Sequence, residues 1–310
     1  MIRPLGIVSK VCLSYIKTVY IYMLQRILIF CIIAYTPLVY AQDLDLLDDD
    51  VAEPVTEYSF ATFKTNRVVN GHSIETVAKK EFDFKISHRF GFLSGGPYDL
   101  FGLDQATMRV GGDYGITDNL NVGIGRSTVD KTYDGFVKYK FLKQSTGVKN
   151  MPITAAWISH MGVTTLKWSN PDRENYFSSR LHYTHQLLIA RKFTEGLSVQ
   201  LSPTLVHKNL IDSTNLKNDI LALGIGIRKK LTNRTTLNLE YYYTLPDQLE
   251  KNKTNVLSVG FDIETGGHVF QLFFTNSSGP FEKSFITDTK AKWLDGDVRF
   301  GFNIARVFNF

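Results

Sequence analysis

The sequence of 310 residues predicts an all-β fold, a transmembrane antiparallel up-and-down β-barrel of about 12 strands, within a range of roughly 10–14. Apolar and polar residues alternate with a period of two from residue 81 onward, as in strands with one lipid-facing and one wet face. Short turns alternate with longer polar loops along the same stretch. The last segment, 297–310, keeps the alternation and ends on Phe310, an aromatic terminus typical of outer-membrane barrels.

The alternation assigns each strand residue to a face. Leu197, Val199 and Leu201 share one parity, while Ser198 and Gln200 share the other. The apolar set is expected to face lipid and the polar set to face the lumen. An even number of strands places both ends of the barrel on the periplasmic side. The predicted strands start near residues 81, 106, 120, 134, 153, 178, 197, 218, 235, 255, 268 and 297.

The connections support the same topology. Four of them are short and rich in Thr, Asn, Asp and Gly, residues that suit tight turns. Short periplasmic turns and long outer loops are typical of outer-membrane barrels. The connection at 142–152 is longer than the other predicted periplasmic turns, and the sequence offers no reason for it. The short turns lie at 117–119, 194–196, 232–234 and 265–267, and the long loops near 93–105, 166–178, 208–218, 245–254 and 276–296.

Residues 1–41 are predicted to be an upstream extension and a cleaved signal peptide. Arg26 precedes a short apolar run and Ala41 provides a small residue for cleavage, which favours Met23 as the initiator. A signal anchor that begins at Met1 is the competing interpretation. Both cysteines lie in this segment, as do four basic residues and no acidic ones. The net charge of +5 therefore falls to +1 beyond it, with 31 basic and 30 acidic residues, and gives no reason to expect a nucleic-acid partner.

Residues 42–80 form the second predicted region, ahead of the barrel at 81–310. Its first part, 42–57, is acidic throughout and is predicted to be a solvated lead-in. Its second part, 58–80, contains a turn signal at Val69-Asn70-Gly71 and is predicted to form a short plug or a rim segment.

Several segments resemble the domain-of-unknown-function 5777 β-barrel family of Bacteroidetes-type outer-membrane proteins. The resemblance is most specific over residues 60–142 and is architectural beyond them. It implies an outer-membrane barrel and transfers no catalytic residue. The segments that carry it are Phe63–Ser73, Glu81–Gly91, Tyr98–Asp104, Asp113–Ser127 and Thr132–Lys140.

Charged residues on the predicted inner parity are the candidate site. Ionisable groups at membrane depth are tolerated when they face water or each other. The candidate residues therefore either line a path for a small polar solute or pair into a network that fills the barrel. Twelve strands lie between the filled and the open sizes, which leaves both alternatives standing. The lumen-facing candidates are Glu81, Asp83, Lys85, Arg89, Arg109, Asp113, Arg126, Lys138, Lys140, Arg228, Glu240, Asp262 and Arg299.

No catalytic residue, cofactor or metal site is expected, and the favoured function is passage or capture of a small polar solute. A closed barrel that displays its outer loops is the alternative. A lipid hydrolase is the minor alternative, because Ser159 and His185 share the outward parity on adjacent strands, although no third catalytic member is evident. The expected partners are outer-membrane lipid and the barrel-assembly machinery, which is predicted to read Phe308 and Phe310.

Overall fold

The computed structural model describes residues 55–211 and 216–310. The predicted signal peptide at 1–41 and residues 42–54 of the acidic lead-in lie outside these ranges. Within them, no helix has both the length and the apolar composition needed to cross a membrane.

The described residues form a closed antiparallel barrel of twelve strands, in which the last strand, Arg299–Asn309, pairs with the first barrel strand, Glu81–Phe92, to complete the circle. The predicted fold class and strand number are confirmed, and every predicted strand start lies within three residues of the observed one. The strands are β1 (Thr56–Tyr58), β2 (Glu81–Phe92), β3 (Ala106–Gly115), β4 (Leu120–Ser127), β5 (Tyr133–Leu142), β6 (Ser145–Gly147), β7 (Thr154–Val163), β8 (Leu181–Thr194), β9 (Leu197–Lys208), β10 (Asp219–Lys230), β11 (Thr235–Thr244), β12 (Val256–Thr265), β13 (His268–Thr275) and β14 (Arg299–Asn309). The α-helix is α1 (Glu282–Thr287), and short 3-10 segments cover Leu93–Gly102, Val129–Lys131, Phe177–Arg180 and Trp293–Asp295.

The wall presents apolar side chains outward and polar side chains inward. In β9, Leu201 is 42% exposed, whereas Gln200 and Ser202 on either side of it are buried. Leu201 pairs with Ile189 of β8 and Ile225 of β10, so apolar groups meet on the outer face. This arrangement reverses that of a water-soluble barrel and fits a wall whose outer face meets lipid.

The connections alternate between a short-turn end and a long-loop end of the barrel. The exception among the short connections, residues 143–153, carries strand β6, which pairs with β1 in a separate two-stranded sheet. Thr56 lies opposite Gly147, and the backbone N–H of Ser59 donates to the carbonyl of Gln144 at 2.8 Å. This connection is therefore long because it holds the chain at the short-turn end, just before that chain enters the lumen.

Candidate functional site

Residues 61–77, here called the lumen plug, lie inside the barrel. Phe63 and Val68 of the plug are each 2% exposed and belong to a cluster of buried apolar residues that includes wall residues of the barrel. The chain leaves the lumen at the short-turn end, where the backbone N–H of Lys80 donates to the carbonyl of Gly115 at 2.8 Å. The plug therefore enters and leaves the barrel by the same end.

A turn at the tip of the plug encloses the carboxylate of Glu240 in β11. The backbone N–H groups of Val69, Asn70 and Gly71 donate to Glu240 oxygens at 3.1, 3.1 and 2.9 Å, and Asn70 Nδ2 donates at 3.1 Å. Successive N–H groups of a turn form a concave anion-binding surface. A Cβ at Gly71 would lie 2.2 Å from the Tyr242 hydroxyl oxygen, so glycine allows the turn to approach the wall.

Two cations of the wall hold the plug from other sides. Arg89 Nη2 donates to Asn70 Oδ1 at 2.8 Å. Lys138 Nζ donates to the carbonyl oxygens of Ser73 at 3.0 Å and Glu75 at 2.8 Å. Both cations are 1% exposed, and such buried charges need these partners because they have lost water.

The wall contacts extend along the rest of the plug. Arg228 Nη1 donates to the carbonyl of Ala61 at 3.1 Å, and Asn66 Nδ2 donates to Asp113 Oδ2 at 2.6 Å. Asp113 also forms a buried ion pair with Lys85. The wall charges therefore serve as partners of the plug rather than lining an open path.

The connection between β13 and β14, residues 276–298, folds into the lumen from the long-loop end. Phe285 of α1 is fully buried and meets the ring of Tyr242 edge-on, with 5.1 Å between the ring centroids. Glu282 of α1 forms an ion pair with Arg67 of the plug, with 2.9 Å between Arg67 Nη1 and Glu282 Oε1. The two inserts thus enter from opposite ends and meet inside the barrel.

Two histidines surround the carboxylate of Glu282. The Nε2 atoms of His72 and His160 lie 3.5 Å from its Oε1 and Oε2 atoms, respectively. Burial and then the nearby Arg67 guanidinium hold the pKa of His72 well below its ordinary value. His72 is therefore neutral at neutral pH, and Arg67 supplies the positive charge that pairs with Glu282.

The structure locates each predicted lumen residue. Glu81, Lys140 and Arg299 are only partly buried, on the inner face of the wall. Arg126 lies elsewhere, and for this residue the prediction is wrong: it shares its parity with outward Ile124, which is 69% exposed, and its guanidinium carbon lies 5.5 Å from the centroid of the Tyr133 ring. The residues that are buried inside the barrel are Asp83, Lys85, Arg89, Arg109, Asp113, Lys138, Arg228, Glu240 and Asp262.

The sequence prediction missed several charged or titratable residues of the lumen, among them Arg67, His72, Asp134, His160 and Glu282. Asp134 binds Arg109 through the Arg109 Nε atom at 2.9 Å, and its inward parity with Lys138 was a usable signal. His160 has the inward parity opposite to that of Ser159, but the alternation in β7 is weak because the inward set also includes apolar Ile158. Arg67 and Glu282 lie outside the barrel strands, where no periodicity assigns a face.

A cavity of 410 Å³ opens at the long-loop end, between α1, the ends of β8 and β9, and the loops around them. We call it the mouth cavity. Lys208 of β9 and Lys283 of α1 line it, together with Asp288, which accepts from Lys283 Nζ at 2.8 Å and lies 3.4 Å from Lys208 Nζ. Burial opposes the charge of Lys283, but Asp288 and Asp130 raise its pKa above the ordinary value. Lys283 therefore remains positively charged.

Residues 63–308 match the family described as a membrane bound beta barrel domain, DUF5777. The chain belongs to this family. The resemblance read from the sequence is therefore confirmed, and the chain is a membrane-bound β-barrel of the outer membrane. The short turns of such barrels are periplasmic, so the mouth cavity lies at the extracellular end. No curated protein matches the sequence.

Solved structures of the same broad architecture share little sequence with this family member. The NanC porin is 9% identical, with a TM-score of 0.46 over 74% of this chain and 99% of that chain. The KdgM porin is 11% identical, with a TM-score of 0.42 over the same shares of the two chains. Outer membrane protein Omp33 of Acinetobacter baumannii is 10% identical, with a TM-score of 0.38 over 76% of this chain and 100% of that chain.

The lipid-facing wall of this family member carries an unusual polar contact. Ser159 of β7 pairs in register with His185 of β8, and 3.0 Å separates Ser159 Oγ from His185 Nδ1. Trp157 Nε1 donates to the same Ser159 oxygen at 2.9 Å. An apolar groove of 580 Å³ runs beside His185 along the outer face. Among the described residues, no carboxylate contacts His185, so the pair has no third member to orient the imidazole.

Proposed function

We propose that this protein takes up a small polar solute at the outer membrane and that the lumen plug and α1 together gate its barrel. The proposal rests above all on one observation: the twelve strands close on one another without using the backbone of the plug. The plug can therefore leave the lumen while every strand keeps both of its neighbours. Twelve strands lie between the barrel size that side chains fill and the size that leaves a channel, and we expect the space vacated by the insert to serve as the passage.

The contacts that occlude the lumen also support a gate. The plug binds the wall through side-chain hydrogen bonds and ion pairs, such as those of Glu240 and Lys138, in addition to its apolar contacts. Water can replace the polar partners when the plug moves, which lowers that part of the cost of displacement. The Arg67–Glu282 ion pair couples the plug to α1, so a solute that displaces α1 from outside would loosen the plug as well.

A reversible covalent lock tests the gate. A Cβ at Gly226 would lie 3.7 Å from the Cβ of Val68, within the range of disulfides. We expect the Val68→Cys/Gly226→Cys protein to pass no current in a planar bilayer when oxidised and to pass transient currents when reduced. The predicted mature chain contains no other cysteine that would compete for the bond.

The single variant Val68→Cys is the control, and its current should be the same under oxidising and reducing conditions. If the double variant conducts equally in both redox states, the plug does not gate the barrel. If neither state conducts, even when Glu240→Ala is added to weaken the hold on the plug, the barrel is closed and the passage proposal fails.

A lipid hydrolase is a second candidate function, and the Ser159–His185 hydrogen bond is the observation that favours it. His185 would accept the proton of the Ser159 hydroxyl as it attacks a lipid ester, and the apolar groove beside it suits an acyl chain. Two features count against this candidate. The Trp157 donor reduces the nucleophilicity of the Ser159 oxygen, and the neighbouring backbone N–H groups are engaged in the strand ladder rather than free to stabilise an oxyanion.

Phospholipid vesicles containing the purified protein test this second candidate. We expect no release of fatty acid by the unmodified protein. Release that disappears in Ser159→Ala but persists in Ser87→Ala, a lumen variant with the same chemical change, would instead establish the hydrolase.

A further inference from the structure

We propose that the mouth cavity binds a small organic anion, a carboxylate or a phosphate ester. This inference rests on the proposed function and deepens it, because it gives the chemical class of the captured solute. The cavity suits such a solute in its charge, in the free donors of its charged groups and in its size.

Positive charge dominates the described lining of the mouth cavity. Six basic residues face three acidic residues, Asp130, Glu250 and Asp288, which leaves a formal excess of three positive charges. A concave surface with one sign of charge concentrates ligands of the opposite sign. The basic residues are Lys167, Arg180, Lys208, Lys217, Lys253 and Lys283.

Two of the carboxylates are already engaged by lysines of the cavity. Asp288 accepts from Lys283 Nζ at 2.8 Å and lies 3.4 Å from Lys208 Nζ, and Asp130 lies 3.4 Å from Lys283 Nζ. The lysines lower the pKa of Asp288 despite its burial, so this carboxylate remains ionised. An ammonium group has three donors, and Asp288 uses one donor of Lys208. Lys208 thus keeps N–H groups for a further acceptor.

His182 at the base of the cavity provides an independent indication. Its side chain lines the cavity and is 3% exposed, yet neither ring nitrogen makes a hydrogen bond within the described part of the protein. Its ring stacks on Phe281, with 5.6 Å between centroids, which fixes its orientation. A buried imidazole N–H without a partner is costly, and an anionic oxygen would satisfy it.

The rim and the volume restrict the size of the solute. Arg180 stacks on Trp168, with 3.8 Å from its guanidinium carbon to the ring centroid, and Nη1 donates to the carbonyls of Thr164 and Leu166. This cation is therefore held in place at the cavity edge. A volume of 410 Å³ lies near the lower end of the range for small-molecule sites. Such a volume suits a molecule of roughly six carbon atoms rather than a polymer.

The lysines are also recessed, which favours a free solute over a lipid headgroup. The side chains of Lys208 and Lys283 are 18% and 17% exposed, between the barrel wall and α1. A headgroup anchored in the bilayer cannot enter the barrel mouth without leaving the membrane. We therefore assign the site to a soluble anion.

Calorimetry on the purified full-length protein in detergent tests the site. The probes are gluconate and glucose 6-phosphate, with glucose as the neutral counterpart. We expect at least one of the anions to bind at least tenfold more tightly than glucose. Raising the ionic strength of the buffer to physiological levels should weaken anion binding without affecting glucose binding, because the long-range attraction between the net positive charge of the cavity and the anion is screened over about 8 Å.

A matched pair of lysine variants locates the binding. Lys208→Gln should lower the affinity for the anion at least fivefold, because it removes a recessed positive charge of the cavity. Lys290→Gln makes the same charge change at an exposed position outside the lining and should leave the affinity unchanged. Equal effects of the two variants, or equal affinity for glucose and the anions, would overturn the inference.

The two proposals can fail separately. If the cysteine lock controls the current but neither anion binds, the cavity inference is wrong and the gate stands. If an anion binds with the expected variant pattern but no current passes in either redox state, the site stands and the passage proposal is wrong.

Discussion

Replacing Glu240 with alanine is expected to release the lumen plug from the barrel wall. The carboxylate accepts backbone hydrogen bonds from Val69, Asn70 and Gly71, and Glu240 is 1% exposed. Its removal leaves buried donors without an acceptor, which costs about 3–5 kcal/mol when a buried charged partner is lost. The rate at which a thiol reagent labels a cysteine at Val68 should therefore rise by about a hundredfold or more.

Glu264→Ala is the matched control for this prediction. Glu264 also contacts the lumen plug, through Lys64, but the Glu264 side chain is 49% exposed at the periplasmic end. An exposed ion pair contributes about 0–1 kcal/mol, so labelling at Val68 should change by less than about fivefold. Equal labelling rates in the two variants would show that the turn around Glu240 does not hold the plug.

Replacing Leu201 with arginine is expected to destabilise the barrel by about 2–4 kcal/mol, the cost of a basic residue on the lipid face near the bilayer midplane. Leu201 is 42% exposed near the middle of β9, and its neighbours across the strands are Ile189 and Ile225. The free energy of unfolding, measured by urea titration of the protein in lipid vesicles, checks this value.

Leu294→Arg introduces the same residue outside the bilayer. Leu294 is fully exposed in the long connection between β13 and β14, where arginine meets water. We expect a change of less than about 0.5 kcal/mol, as for surface substitutions in general. A similar loss of stability in both variants would mean that Leu201 does not face lipid.

The wall of the barrel was predictable because its signal is local. Successive residues of a strand point to opposite faces, so a few neighbouring positions suffice to assign Leu201 to the lipid face and Gln200 to the lumen face. The single wrong assignment among the lumen candidates, Arg126, arose where that rule was not applied, since its parity matches that of Ile124. The turn residues mark where each strand ends, and counting the segments between them predicts the number of strands.

The site was only partly predictable because its contacts are not local. The charged wall residues Arg89, Lys138 and Glu240 appear in the alternation, but their partners lie in a segment without periodicity. The turn signal at Asn70-Gly71 indicated an ordered piece and did not distinguish a plug from a rim segment. The mouth cavity likewise combines strand ends with α1, and no single stretch of sequence contains it.

The sequence by itself determined the barrel, its strands and the faces of its wall, because the lipid and the lumen impose a repeating pattern on neighbouring residues. Only the tertiary structure decided what fills the lumen. Arg67 and Glu282 lie 215 residues apart in segments with no repeating pattern, and their ion pair exists because the closed barrel brings a periplasmic and an extracellular insert to the same buried point. Desolvation there requires each charge to have a partner, and the fold alone determines which partner it meets.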